Sequence, residues 1–246
     1  MTRLLGCDFS SSPSTRKSIA LAWGAWRDKR LVLEGLQACT SLVAFKQALH
    51  TPGPWVGGFD LPFGLPRELV TTLKWPLGWK ACIDHFASLS REEIRATFKA
   101  FCDHRPAGGK FAHRATDIPA GSSPSMKWVN PPVAYMLHAG VPLMLQAGLD
   151  FPGLHAGDTQ RVALEAYPGW LARQLMGSRS YKSDDKAKQT PERLIARKDI
   201  LHGLVSGQAG ATLYLRPAQH DALAQDASGD KLDAVLCMVQ AATAQQ

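Results

Sequence analysis

The sequence lacks several features that would assign it to a specialised class of protein. Its five cysteines include no CxxC pair, and their odd number does not suit a disulfide framework, so we expect buried, reduced thiols. It contains no GxxxxGK[ST] run for a phosphate loop, and no internal repeat. What remains is an ordinary globular composition, with 45% hydrophobic and 20% charged residues.

Long hydrophobic runs are also missing. The best candidate for a membrane span, residues 133–149, contains His138, Pro142 and Gln146 and is short for a bilayer. The beginning of the sequence has no long apolar block of the kind found in signal peptides. These absences predict a cytoplasmic protein.

Positive charge is concentrated in two stretches of this basic chain, whose formal net charge is +7. Residues 99–127 hold five Lys and Arg against two acids, and residues 178–202 hold seven against four. Aromatic residues lie among them, a pattern that suits contacts with nucleic-acid phosphates and bases. Solvated basic faces explain either stretch alone equally well. The candidate nucleic-acid-binding residues are Lys110, Arg114, Lys182 and Lys186.

Hydrophobic patterns predict an α/β fold. Five strands are expected, at residues 3–9, 18–26, 29–36, 55–62 and 161–168. A helix over residues 41–50 connects the third and fourth strands, and the last helix begins near Gly229. We therefore expect a mixed five-stranded sheet with helices on both faces. The chain would form a single domain, 1–246, with a mostly helical insertion after the fourth strand at about residues 63–160.

Two aspartates follow strands that the connecting helix would make parallel neighbours. Asp8 ends the first strand and Asp60 ends the fourth. The carboxyl ends of parallel strands meet at one edge of a sheet, where open α/β proteins carry their sites. Each residue also has a local interpretation, because Asp8 could form an Asx turn before the serines that follow and Asp60 could cap its strand.

Further acids are placed to reach the same edge. Asp230 and Asp233 share one face of the last helix with the small residues Ala234 and Cys237, which would let that helix approach the sheet closely. Acids in a first helical turn also complement the helix dipole, so this pair alone favours a structural role. Glu165, at the end of the fifth strand, could join the cluster or hold a basic neighbour.

Carboxylates brought this close together repel one another and need protons or cations. Oxygen-only ligand sets suit Mg²⁺ or Mn²⁺. Two such ions roughly 3.5–4 Å apart can activate a water and stabilise the leaving oxygen of a phosphoryl displacement. The acids therefore predict a two-metal carboxylate site.

Four motifs resemble one known family in their order and spacing across nearly the whole chain. They are GCDFS, GGFDLPFGLP, LEAYPG and GDKLDAVLCMVQAA, and HRATD at residues 113–117 also looks like a family motif. They resemble the "domain of unknown function 429" family, which is regarded as a ribonuclease H-like fold of predicted nucleases. The resemblance implies that Asp8 and Asp60 are metal ligands and that Glu165 is a ligand or supports one. Asp230 and Asp233 resemble the closing pair of RuvC-type junction resolvases, which often pair, so the resemblance also implies a homodimer as a candidate assembly.

The leading hypothesis is a metal-dependent nuclease that hydrolyses DNA or RNA with Mg²⁺ or Mn²⁺. Its catalytic acids would be Asp8, Asp60, Glu165, Asp230 and Asp233, all but Glu165 serving as metal ligands. The first alternative is an ATP-dependent phosphotransferase of the actin-like and sugar-kinase branch, suggested by the hydroxyl-rich DFSSSPS stretch. The second is a catalytically silent nucleic-acid-binding protein.

Overall fold

The structure, a computed structural model, describes residues 2–106 and 108–245. These residues form an α/β fold with seven strands and ten α-helices. The strands are β1 (Arg3–Asp8), β2 (Ile19–Arg27), β3 (Arg30–Cys39), β4 (Trp55–Asp60), β5 (Leu149–Asp150), β6 (Asp158–Glu165) and β7 (Leu213–Tyr214). The helices are α1 (Leu42–Leu49), α2 (Arg67–Thr72), α3 (Trp79–Ser88), α4 (Arg91–Asp103), α5 (Asp117–Ala120), α6 (Val133–Gln146), α7 (Pro168–Met176), α8 (Pro191–Val205), α9 (Pro217–Gln225) and α10 (Asp230–Thr243).

The sheet is mixed, as expected, but it has seven strands rather than five. Its order is β5-β6-β4-β1-β2-β3-β7. The two additional strands, β5 and β7, have two residues each, and a segment that short carries no recognisable alternation. The antiparallel β1-β2-β3 meander and the parallel pairing of β4 with β1 agree with the predicted topology, and β6 pairs with β4, also in parallel.

The chain divides into two compact units. The first runs to Asp60 and resumes at Gln160, and the second is Leu61–Thr159, close to the predicted insertion. In the first unit, α7, α8, α9 and α10 share a hydrophobic core with one face of the sheet. On the other face, the ring of Phe45 from α1 packs edge-on against Phe9, with ring centroids 5.2 Å apart. Helices therefore lie on both faces of this sheet, as predicted.

The second unit is mostly helical, and the residues at the ends and in the interior of its helices account for its local structure. Ser90 and Glu93 form a capping box at the start of α4. Helix α6 continues through Pro142, whose nitrogen cannot donate a backbone hydrogen bond to the preceding turn. Across the described chain, no helix combines the length and the apolar character needed to cross a membrane. All five cysteines are buried and free, which confirms the expectation for them.

Candidate metal centre

Two glycines allow α10 to lie directly on the sheet. A Cβ atom at position 6 in β1 would lie 1.8 Å from the carbonyl oxygen of Ala234, and one at position 58 in β4 would lie 2.3 Å from that of Cys237. Neither separation is sterically possible, so both positions require glycine. The small residues on this face of α10 and the glycines in the strands therefore set the height of the helix above the sheet, as predicted for Ala234 and Cys237.

Strand alternation places the two strand-end aspartates under this helix. Side chains two residues apart on a strand share a face, so Asp8 lies on the face of Gly6, and Asp60 lies on the face of Gly58. Asp8 and Asp60 are also direct register partners in the parallel β1-β4 pair. The close seating of α10 brings Asp233, from its first turn, over the same end of the sheet.

Three of the predicted acids consequently meet. Asp8, Asp60 and Asp233 each present a carboxylate oxygen, and the three oxygens all lie within 4.8 Å of one another. Asp233 is fully buried, whereas Asp8 and Asp60 keep some exposure. The residues therefore form a compact, oxygen-only group with a buried base and a partly open side.

The electrostatics of the group favour bound positive charge. Burial is the main reason that the pKa of Asp60 is raised to about 7, with Asp233 and Glu165 adding repulsion while Lys182 opposes it. Burial and then the charge of Asp233 likewise raise the pKa of Asp8 well above its usual value. Carboxyl groups with raised pKa values gain from a nearby cation, because the cation stabilises their ionised form.

Asp233 receives two side-chain donors from one neighbouring segment. The hydroxyl of Tyr181 donates to its Oδ1 at 2.5 Å, and the ammonium of Lys182 contacts its Oδ2. Burial raises the pKa of the Asp233 carboxyl, and both donors partly offset that effect. Each carboxylate oxygen can accept more than one bond, so Asp233 retains capacity for a metal ion.

Asp230, the other predicted acid of α10, makes different contacts. Its Oδ1 accepts from the Nζ of Lys17 at 3.2 Å, and the same ammonium lies 2.8 Å from Asp184 Oδ1. Within residues 2–106 and 108–245, the group able to hold a metal comprises Asp8, Asp60 and Asp233, without Asp230. One helical turn thus separates an acid directed at the sheet from an acid paired with a loop lysine.

Glu165 lies at the same edge but outside that group. Its register partner in β4 is Phe59, the residue before Asp60, so strand alternation directs it away from the face that carries α10. The side chain is exposed, and its charge contributes to the raised pKa of Asp60. Its position suits electrostatic influence on the group better than direct ligation.

The four candidate nucleic-acid-binding residues fall into different environments. Lys110 and Lys186 are exposed, as a phosphate contact requires. The side chain of Arg114 instead contacts Asp117, with its Nε and Nη2 each 2.9 Å from Asp117 Oδ1. Lys182 is half-exposed and held by Asp233. The sequence predicts Lys182 as a nucleic-acid contact, and it does not identify Lys182, Tyr181 or Lys17 as partners of the acids.

The donor set fits a hard divalent cation. Three aspartate oxygens at this mutual distance match the ligands that Mg²⁺ and Mn²⁺ take in proteins, and the described site contributes no thiolate or imidazole. Asp8, Asp60 and Asp233 are the residues that would hold such an ion.

Searches with this sequence and structure against protein-family models, curated proteins and solved structures find no match.

Proposed function

We propose that this protein is a metal-dependent nuclease that hydrolyses phosphodiester bonds in DNA or RNA. The observation that carries the proposal is the convergence of Asp8, Asp60 and Asp233, from two strands and a helix, within 4.8 Å. The proposal includes the ribonuclease H-like fold that the motif resemblance implies. The mixed sheet, with its acids at the carboxyl edge of two parallel strands, supports that assignment.

The chain supplies the parts that a phosphodiester hydrolase needs around its metal. Asp8, Asp60 and Asp233 would bind Mg²⁺ or Mn²⁺, which polarises a phosphoryl oxygen and lowers the pKa of water. Tyr181 fixes the orientation of Asp233 through its hydroxyl. The ammonium of Lys182 adds a positive charge that can offset negative charge developing on the phosphate in the transition state.

The substrate class follows from charge. A chain with net charge +7 attracts a polyanion, and Lys110 and Lys186 are exposed to meet one. Because such contacts release counterions, substrate binding should weaken steeply with added salt. Arg114 is less suited to a phosphate contact, since its side chain is largely buried and is engaged by Asp117.

The test compares cleavage by the wild type and by Asp8→Asn. Fluorescently labelled single-stranded, duplex and branched DNA and RNA are incubated with protein and Mn²⁺ or Mg²⁺. We expect metal-dependent cleavage that Asp8→Asn reduces by more than the roughly 10–100-fold lost with an outer-shell partner of a metal ligand. Asp103→Asn, which alters an exposed acid of α4 paired with Lys99, is the matched control and should cleave normally.

Three results would contradict the proposal. Cleavage by Asp8→Asn at the wild-type rate would show that the cluster is not the catalytic site. Stabilisation of the protein by ATP and Mg²⁺, without cleavage of any nucleic acid, would favour the phosphotransferase alternative. Binding of nucleic acid without cleavage at saturating metal would instead favour a silent binding protein.

A further inference from the structure

Lys182 brings an ammonium group to the acid cluster. Its ammonium contacts Oδ2 of the fully buried Asp233. A lysine ammonium in contact with a carboxylate carries a positive charge, so Lys182 places one positive charge at the cluster.

The backbone that carries Lys182 is held from two sides. Helix α8 contributes Arg197, whose Nη1 donates to the carbonyl of Tyr181 at 2.7 Å, and Arg193, whose Nη1 donates to the carbonyl of Lys182 at 2.9 Å. The next residue, Ser183, donates its backbone N–H to the carbonyl of Ala227 at 3.0 Å. These bonds fix the segment beside the start of α10.

The stem of Lys182 is fixed as well. It passes so close to Gly229 that a Cβ there would lie 2.8 Å from the Cβ of Lys182. Gly229 has a positive φ of 79°, which glycine adopts without strain, and it precedes the first residue of α10. The ammonium is thus directed at Asp233 by packing along the side chain.

The charges of the site balance with one divalent ion. Asp230 is paired with Lys17, which leaves three carboxylates in the group. Three ionised carboxylates carry three negative charges, and one divalent cation with one ammonium carries three positive charges. A second divalent ion would leave an excess of positive charge around three ligands, with Lys182 repelling it at close range.

We propose that this site binds a single divalent metal ion and that the ammonium of Lys182 takes the place of the second ion in a two-metal site. This inference rests on the proposed function and replaces the two-ion stoichiometry expected from the sequence. Lys182 is accordingly a residue that sets how many ions the carboxylates accept and how tightly they hold the first.

The experiment counts Mn²⁺ ions by calorimetric titration of the metal-free, full-length protein. Lys182→Met keeps the apolar stem that packs on Gly229 and removes the charge, while Lys182→Gln keeps a hydrogen-bond donor without the charge. Lys198→Met makes the same substitution at an exposed lysine of α8 and is the matched control. Thermal unfolding of each variant establishes that it is folded before titration.

We expect the wild type and Lys198→Met to bind one Mn²⁺ per chain. Both neutral variants of Lys182 should bind their first Mn²⁺ about tenfold or more tightly, because they lack the repelling ammonium. Two ions in the wild type, or first-ion affinity that is unchanged or weaker in the folded neutral variants, would overturn the inference and leave the proposed function standing. Absence of Mn²⁺ binding by the wild type would overturn both.

Discussion

Two fully buried aspartates in this protein, Asp117 in the second unit and Asp233 in the first, have opposite surroundings. Asp117 is neutralised within its own loop. The backbone N–H of Arg114 donates to its Oδ2 at 2.8 Å, and the guanidinium of the same residue contacts its Oδ1 at 2.9 Å. Asp233 takes its donors from a segment some fifty residues away and also faces Asp8 and Asp60.

The difference separates a structural acid from a candidate functional one. A buried ion pair closed within three residues compensates its own charge, so Asp117 stabilises the segment that leads into α5. Carboxylates brought together from distant segments retain uncompensated negative charge after every local partner is counted. Burial of an acid therefore predicts function only when the surrounding charges fail to balance, as they do at the edge of the sheet.

The largest effect should follow from lifting α10 off the sheet. Gly6→Ala places a methyl group 1.8 Å from the backbone oxygen of Ala234 and should cost more than the roughly 1–3 kcal/mol typical of an overpacked core. Gly35→Ala in β3, where the added methyl meets nothing within 4 Å, is the control. Urea unfolding and Mn²⁺ titration should show loss of stability and of metal binding in Gly6→Ala alone. Similar behaviour of both variants would contradict the proposed role of the close approach.

The second effect is a pH dependence of the free energy of unfolding that arises from the Asp8, Asp60 and Asp233 group. Folding raises the pKa of Asp60 from 3.8 to about 7, so the folded chain holds this proton more tightly than the unfolded chain. In EDTA, the contribution of this group to the free energy of unfolding should fall as pH rises from about 4 to about 7. The fall is up to about 4 kcal/mol, because one pKa unit corresponds to about 1.4 kcal/mol.

Asp60→Asn isolates that contribution. The difference in unfolding free energy between wild type and Asp60→Asn should change across this pH window in EDTA and change less with saturating Mn²⁺, which competes with protons. A difference that is independent of pH without metal would show that Asp60 titrates normally. The Asp8, Asp60 and Asp233 group would then titrate like an ordinary cluster of surface acids.

The third effect concerns Asp117, the buried aspartate whose charge is compensated by Arg114. Asp117→Asn removes the buried charge that pairs with the largely buried guanidinium of Arg114 and should lower the free energy of unfolding by about 3 kcal/mol. Asp103→Asn removes an exposed partner of Lys99 and should change it by less than about 1 kcal/mol. Urea unfolding measures both. Equal, small losses would mean that Asp117 is not a structural acid.

The smallest effect is a gain in stability, whereas Gly6→Ala and Asp117→Asn should lower it. Asp8→Asn replaces an acid whose charged form is disfavoured by burial and by Asp233, so at pH 8 in EDTA it should stabilise the protein by about 1 kcal/mol. Saturating Mn²⁺ should then stabilise the wild type more than the variant. Destabilisation of metal-free Asp8→Asn to the extent expected for Asp117→Asn would remove the distinction between the two acids.

Much of this site follows from local sequence patterns. Asp8 and Asp60 end strands whose connection makes them parallel neighbours, and Ala234 and Cys237 form a narrow helix face. These features depend on alternation and helical periodicity, which a sequence displays directly. The meeting of Asp8, Asp60 and Asp233 could therefore be predicted without coordinates.

The partners of the acids could not be predicted in the same way. Asp230 and Asp233 have equivalent sequence signals, and only the position of Lys17 in a distant loop separates their roles. Tyr181 and Lys182 reach Asp233 because Arg193 and Arg197 hold their backbone, a long-range arrangement with no periodic signature. The strands β5 and β7 were missed because two residues do not establish a pattern.

The most direct test of the account is a crystal structure of the protein soaked in Mn²⁺, with anomalous scattering used to locate the metal. We expect one anomalous peak bounded by carboxylate oxygens of Asp8, Asp60 and Asp233, with Lys182 still in contact with Asp233. Carboxylates that face one another with no anomalous peak between them, or a peak held elsewhere on the chain, would contradict it.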